Sequence, residues 1–527
     1  MQSAELQAAL ESFLAASPQA AVVEEGEVLF DFASGARYSV TEDRGRTLLQ
    51  LWSAERNVVR RVLACEVKAD ALLLEVQRFG QARSSKLEFF RSRDRRSPTQ
   101  RRAARSSYQR LLARVLERHF PDWRPGRFTS AMDLERSFGP VHCRGTLKRG
   151  RSFFAVLGVN VQEPQASIDA SLTFALLWLD HCRERHPDCV LEGLKLVAPA
   201  GSSDALRARM AWLDRDAAKF HLYELDELAE EMIEIDCADR GNIATRLVQC
   251  PDELAARERF ATEIARVVSL VPDADVAFPG SGQISFRLHG LEFARARLVG
   301  TEDFHSRPEL TFGAGPCETV LDDRTEPLFV ELLDRLVAAR RPRGNVRNAL
   351  FRLQPERWLE ALVLRNVTAL DDRLGHAPVY SQVPAFSASD RAMIDVLTAT
   401  ADGRLAVVEL KAGEDIHLPL QGLDYWARVR WHQQRGEFEK FGYFSSCHPE
   451  RAASLRAASR GTPTVTIPFA LSPDPPLLFL VAPALHVHPA TDALLRYLSP
   501  EIDCTLLGID ERWREGVRVI FRKRPAR

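Results

Sequence analysis

Apolar and polar positions alternate in different registers along the chain, and the changes of register mark out its elements. Residues Ala4–Ala16 carry a helical spacing. The stretches Val28–Phe32 and Arg37–Val40 flank Ser34-Gly35 and predict a hairpin, and Leu72–Phe79 predicts a further strand. A second run reads helix, hairpin, helix, strand: Tyr108–His119, Val141–Leu147 with Ser152–Asn160 around Lys148-Arg149-Gly150, Ala170–Arg185, and Leu191–Val197. A third begins with an amphipathic helix over Pro251–Leu270. Strands at Ile284–Leu288, Leu291–Leu298 and Leu310–Phe312 follow.

After a proline- and arginine-bearing stretch, ARRPRGNVRN, a fourth run begins with the helix Glu356–Leu370. Strands Ala392–Thr400 and Leu405–Ala412 come next, then the helix Leu418–Arg435. Strands at Phe441–Phe444 and Leu477–Val481, a helix at Thr491–Leu498 and a strand at Val517–Lys523 complete it. This order predicts an α/β (α+β) multidomain protein of four segments: a β-rich 1–95, an α/β 105–235, a small α+β 240–340, and 345–527.

Composition narrows the functional classes. Apolar residues make up 45% and charged residues 27% of the 527, as in ordinary globular proteins, and the formal net charge is −1. A nucleic-acid site would therefore be a local patch or use a bound cation, because there is no global basic field. The arginine-rich run Arg91–Arg110 reads either as a solvated linker entering a helix or as a phosphate-contacting arm. The most apolar stretch, Pro476–Val487, is too short to span a membrane. The N-terminus lacks the pattern of a secretory signal, and nine scattered cysteines contain no CxxC. Together these give the expectation of a reduced, cytoplasmic protein with no membrane partner. No nucleotide-binding GxxxxGK[ST] is present, so a helicase activity would need a separate partner.

The chemistry gathers in the fourth segment. Two apolar strands surround Ala401-Asp402-Gly403. A three-residue loop with glycine at its end centres the hairpin on Asp402. Asp395 then lies opposite Glu409, and Lys411 shares their face because side chains alternate along a strand. A two-residue Asp-Gly loop would instead pair Asp395 with Leu410. Two carboxylates and a lysine on an apolar strand are costly without compensation. A divalent cation bound by hard oxygen ligands, Mg²⁺ or Mn²⁺, would supply it.

This arrangement resembles the PD-(D/E)xK nuclease superfamily: an acid, Asp395, on one strand and Glu409-Leu410-Lys411 on the next. The helix that follows carries Gln421-Gly422-Leu423-Asp424-Tyr425, similar to the QxxxY motif of the RecB-like exonuclease branch. The literal Pro-Asp dipeptide is replaced by Ile394-Asp395. The resemblance implies a restriction-endonuclease-like αβββαβ core. It implies catalytic roles for Asp395, Glu409, Lys411, Gln421, Tyr425 and Glu360, with Glu356 as a weaker candidate for the helix acid. It also implies metal ligation by Asp395, Glu409, Glu360 and the backbone carbonyl of Leu410. DNA would be the substrate, in repair or in defence against foreign DNA. Two other readings stay open: a catalytically silent nucleic-acid-binding or scaffold protein, and a sequence-specific restriction endonuclease.

Other features are weaker. Glu66-Val67-Lys68 repeats the E-x-K spelling without an acidic partner strand or a following QxxxY. Trp426 and Trp431 read as core or lid, and His486 and His488 supply too few ligands for a metal. The second segment repeats the element order of the fourth without its carboxylates. Gly158 falls where Glu409 would stand, Asn160 where Lys411 would stand, and Phe174 and Trp178 replace the glutamine and tyrosine. It is either a nuclease-like lobe without catalytic residues or an unrelated α/β domain.

Overall fold

The computed structural model describes residues 3–24, 27–32, 36–43, 46–52, 57–68, 71–77, 84–91, 98–240, 243, 245–300, 306–313, 318–374, 378–387, 393–444 and 470–525. The chain divides into two compact units, one of residues 1–102 with 311–320 and one of 103–310 with 321–527.

In the first unit the helix Ser3–Ala16 buries Leu6, Leu10 and Phe13 against a seven-stranded sheet. The expected hairpin around Ser34-Gly35 is not formed. Glu27–Asp31 pairs with Ala21–Glu24, Arg37–Asp43 pairs with Arg46–Trp52, and the two stand at opposite ends of the strand order. Long-range partners decide strand pairing, and local alternation does not reveal them. Ser34 and Gly35 themselves lie outside the described residues.

The second unit contains two sheets of closely related plan. The first follows helix α1 (Pro98–His119) and comprises β1 (His142–Arg149), β2 (Ser152–Val159), β3 (Val190–Pro199), β4 (Lys219–Asp226) and β5 (Glu231–Ile235). Helix α2 (Ser171–Arg185) joins β2 to β3, and the short α3 (Asp204–Met210) joins β3 to β4. β1 and β2 are antiparallel, β2–β3 and β3–β4 are parallel, and β4–β5 is antiparallel.

The second sheet follows helix α4 (Pro355–Arg365), whose proline takes the first turn, where no amide hydrogen is needed. Its strands are β6 (Tyr380–Ser387), β7 (Met393–Ala399), β8 (Leu405–Leu410), β9 (Leu477–Pro483), β10 (Asp503–Ile509) and β11 (Val519–Lys523), with Thr245–Leu247 added beside β6. Helix α5 (Leu418–Gln434) joins β8 to β9 and α6 (Thr491–Leu495) joins β9 to β10. From β7 to β11 the pairings run antiparallel, parallel, parallel, antiparallel, the sequence found from β1 to β5.

Alternation along β8 divides two cores. Leu405 and Val407 join the core under α5, while Ala406, Val408 and Leu410 join the core under α4. Gly422 lets α5 approach the sheet closely, since a side chain there would strike Leu480. Between the two sheets' segments, the amphipathic run from Pro251 forms two helices, Glu253–Arg259 and Ala261–Leu270, rather than one. The fully buried Phe260 sits at the break. Phe441–Phe444, expected as a strand, is a turn, with Gly442 and Phe444 at positive φ. Among the described residues no helix is long and apolar enough to cross a membrane.

Candidate active site

The β7–β8 hairpin closes through three residues. Thr400 and Arg404 bond to one another, Gly403 has φ +83°, and the register pairs Ala399 with Leu405 and Val396 with Val408. Carried one step on, this register sets Asp395 opposite Glu409. There the ladder gives way to a side chain, and the Leu410 N–H donates to Asp395 Oδ2 at 3.0 Å.

Four sequence-predicted residues come together at this end of the sheet. Glu409 is 1% exposed and faces α5. Lys411 follows on the same face, with its Nζ 3.0 Å from Glu409 Oε1 and 3.7 Å from Asp415. Glu360 reaches in from α4, buried, and pairs with Arg357 at 3.0 Å. Gln382 on β6, at φ +51°, donates its amide to Glu360 Oε2 (3.1 Å) and Asp395 Oδ1 (3.3 Å). Sequence reasoning missed Gln382. No motif marks it, and only its left-handed backbone inside a strand sets it apart.

The electrostatics are those of crowded acids. Burial, then the neighbouring Asp395, pushes the Glu409 carboxyl well above the usual carboxylate range, against the opposing pull of Lys411. Burial also raises Glu360, with Arg357 working against it and Asp395 adding to it. Burial disfavours the charge on Lys411, yet Glu409, Asp415 and Asp395 outweigh it and hold the ammonium above its ordinary value. Tyr425 is raised by burial and then by the charges of Glu409 and Asp395. Gln421, one turn earlier on α5, keeps Oε1 buried without a partner.

Among the described residues no three His, Cys, Asp or Glu side chains converge into a complete metal cage. Two buried carboxylate oxygens of this site nevertheless lack any partner, Glu409 Oε2 and Glu360 Oε1. Unsatisfied buried acceptors of this kind are expensive. A cation with hard oxygen ligands is the group they fit, with water completing its shell.

Several other residues have structural work. Trp426 is fully buried, donates to the Pro476 carbonyl at 2.7 Å and meets Trp212 edge-on. His486 contacts Glu511 and His488 contacts Ser137, so the two histidines do not share a site. Arg105, in the arginine-rich run, is tied to Glu163 at 2.8 Å.

In the second segment the expected correspondence with Gly158 needs correction. A side chain at Gly158 would meet Tyr108 Oη on α1, the face away from α2. Leu157, paired with Arg144, and Val159, paired with His142, lie on the face under α2, and Leu157 stands beside Leu196 as Glu409 stands beside Leu480. His142 stacks on Phe174 of α2 with ring centroids 4.4 Å apart. The hairpin face that carries Asp395 and Glu409 in one lobe thus carries Arg144, His142, Leu157 and Val159 in the other, with no carboxylate.

No family model matches this chain, and no curated protein matches it. Among solved structures it is similar to a repair endonuclease from Pyrococcus abyssi, at 13% identity over 42% of this chain and 96% of that one, with a TM-score of 0.16. It is similar in the same degree to EndoMS in complex with double-stranded DNA: 13% identity, 42% and 94% coverage, TM-score 0.16.

Proposed function

We propose that residues 345–527 form a PD-(D/E)xK-type nuclease that hydrolyses DNA phosphodiester bonds with Mg²⁺ or Mn²⁺. The supporting observation is the convergence of Asp395, Glu409 and Lys411 at one strand end, beside unpartnered oxygens on Glu409 and Glu360. The order α4-β6-β7-β8-α5-β9 agrees with the αβββαβ core that the sequence resemblance implies, and the neighbourhood of Tyr425 agrees with a QxxxY role. DNA repair or defence against foreign DNA is the setting that this reading suggests.

Asp395, Glu409, Glu360 and the Leu410 carbonyl would hold the cation. When bound, the cation supplies Lewis acidity toward a phosphoryl oxygen and lowers the pKa of a ligated water. The Leu410 amide fixes Asp395 so that its second oxygen points into the site. Lys411, kept protonated by its acidic neighbours, offers a donor for the attacking water or for charge developing on the phosphate. Tyr425 and Gln421 line the side toward α5, where they can orient the scissile strand.

A second reading keeps a specific support. The Gln382 amide joins Glu360 and Asp395, a polar tie between the two acids that a silent DNA-binding protein would also use. Incubation of linear and circular DNA with the protein, with Mn²⁺ or with chelator, separates the two. Mn²⁺-dependent cleavage that is lost in Asp395→Asn supports the nuclease. Absence of cleavage together with retained DNA binding supports the silent reading.

A further inference from the structure

The two related sheets of the second unit pack on each other through matching parts. Helices α2 and α5 are the corresponding long crossovers, and α3 and α6 the corresponding short ones. Across the junction α2 packs on α6, and α5 packs on α3. Each long helix thus meets the other lobe's short helix, which is the reciprocity of an isologous dimer interface.

The junction repeats this in detail. Leu213, after α3, and Leu498, after α6, form an antiparallel bridge: Asp214 N–H donates to the Tyr497 carbonyl and Ser499 N–H to the Trp212 carbonyl, both at 2.8 Å. Corresponding residues face each other there, as they must on a two-fold axis. Arginines at the short helices bond to aspartates of the opposite long helices. Arg209 of α3 forks Asp424 of α5 at 2.6–3.1 Å, and Arg496, just past α6, reaches Asp180 of α2 at 2.9 Å. A single apolar core runs through the junction, taking in Leu179, Met210 and Trp212 with Trp426, Leu495 and Leu498.

Duplex DNA has its own two-fold axes, and a two-fold pair of nuclease lobes can present one site to each strand. Here one lobe offers Asp395 and Glu409, while the hairpin face under α2 in the other pairs Leu157 with Arg144 and Val159 with His142 and holds no carboxylate. We infer that this chain is an internal pseudo-dimer with one cleaving site for two lobes, and that it breaks only one strand of duplex DNA per binding event. The inference rests on the nuclease reading above. The step is a hydrolysis: water oxygen bonds to phosphorus, one bridging P–O bond breaks, and the leaving oxygen takes a proton. A phosphomonoester and a hydroxyl remain on one strand, and the other strand stays intact.

The experiment uses the full chain with Mn²⁺, DNA in excess, a supercoiled plasmid, and a linear duplex labelled differently on its two strands. Aliquots are run on native and denaturing gels. The expected result is nicked circles accumulating ahead of linear ones, or linear duplexes that are cut on one strand and migrate whole on the native gel, at a rate first order in protein. Linearised plasmid or doubly cut duplex appearing at the same initial rate as single cuts would overturn the inference and leave the nuclease reading standing. So would a rate second order in protein, since two chains would then supply the two cuts. No cleavage of either substrate would instead overturn the nuclease reading itself.

Discussion

The Leu410 amide bonds to the Asp395 carboxylate at 3.0 Å where the β7–β8 ladder stops. One oxygen of Asp395 is thereby occupied in holding the hairpin end, and the other lies toward Gln382 and Glu360. Asp395→Asn keeps an acceptor for Leu410 and should retain the fold while losing cleavage. Asp395→Ala should lose cleavage and also about 1–2 kcal/mol of stability, because a backbone donor loses its partner. Gel assays and thermal melts of the two variants check this. Equal melting temperatures for both would show that the Leu410 bond contributes nothing.

Lys411 sits 3.0 Å from Glu409 and is held protonated by three carboxylates. A charge so placed should act on the transition state more than on DNA binding. Lys411→Ala should lower the cleavage rate by about 10²–10³-fold, as loss of one transition-state donor does. DNA affinity measured in Ca²⁺ should change little, since one phosphate contact among several is a small share of binding. A variant whose only defect is weak binding would refute this role.

The β7–β8 hairpin was legible because its signals are local. Gly403 limits the loop, and alternation on either side sets the register that brings Asp395 to Glu409. Strand β6 was not legible. Its residues Tyr380–Ser387 mix polar positions with Pro384, and it gains its place by pairing with β7. Gln382 went unseen with it. Similarly, the strands that begin at Glu27 and Arg37 look like one hairpin until their distant partners are known. The matching plan of the two lobes was visible as element order, but the faces were not. Only the packing of Tyr108 against Gly158 shows that Gly158 lies on the face opposite to that of Glu409.

Glu409 illustrates the cost of a site held ready. It is buried on a strand of apolar residues, has an oxygen without a partner, and faces a second acid. Removing its charge should relieve this. Glu409→Gln should raise the stability of the metal-free protein by about 0.5–2 kcal/mol, the usual gain when a functional site is neutralised. Mn²⁺ should raise the melting temperature of the native protein, and this variant should not show that rise. Calorimetric melts with and without Mn²⁺ test both parts, and a destabilised variant would show that the Lys411 pair outweighs the crowding.

His142 contributes a pH dependence to the second lobe. It is 4% exposed, stacks on Phe174, and burial lowers its pKa to about 4, opposed by the nearby Ser167 backbone and aided by the charges of Arg144, His417 and Arg105. An unfolded histidine takes up its proton near pH 6.5. Between those values the unfolded chain binds more protons than the folded one, so stability rises with pH across the window and is lost as pH falls through it. The shift corresponds to at most about 3 kcal/mol between pH 6.5 and pH 4. His142→Leu removes the titrating group and keeps an apolar side chain against Phe174. The variant should therefore lose less stability than the native protein as pH falls from about 6.5 to about 4, while the two converge in slope above pH 7. Denaturant melts at half-unit pH steps measure this. Parallel curves for the two proteins across the whole window would show that His142 does not stay neutral in the fold.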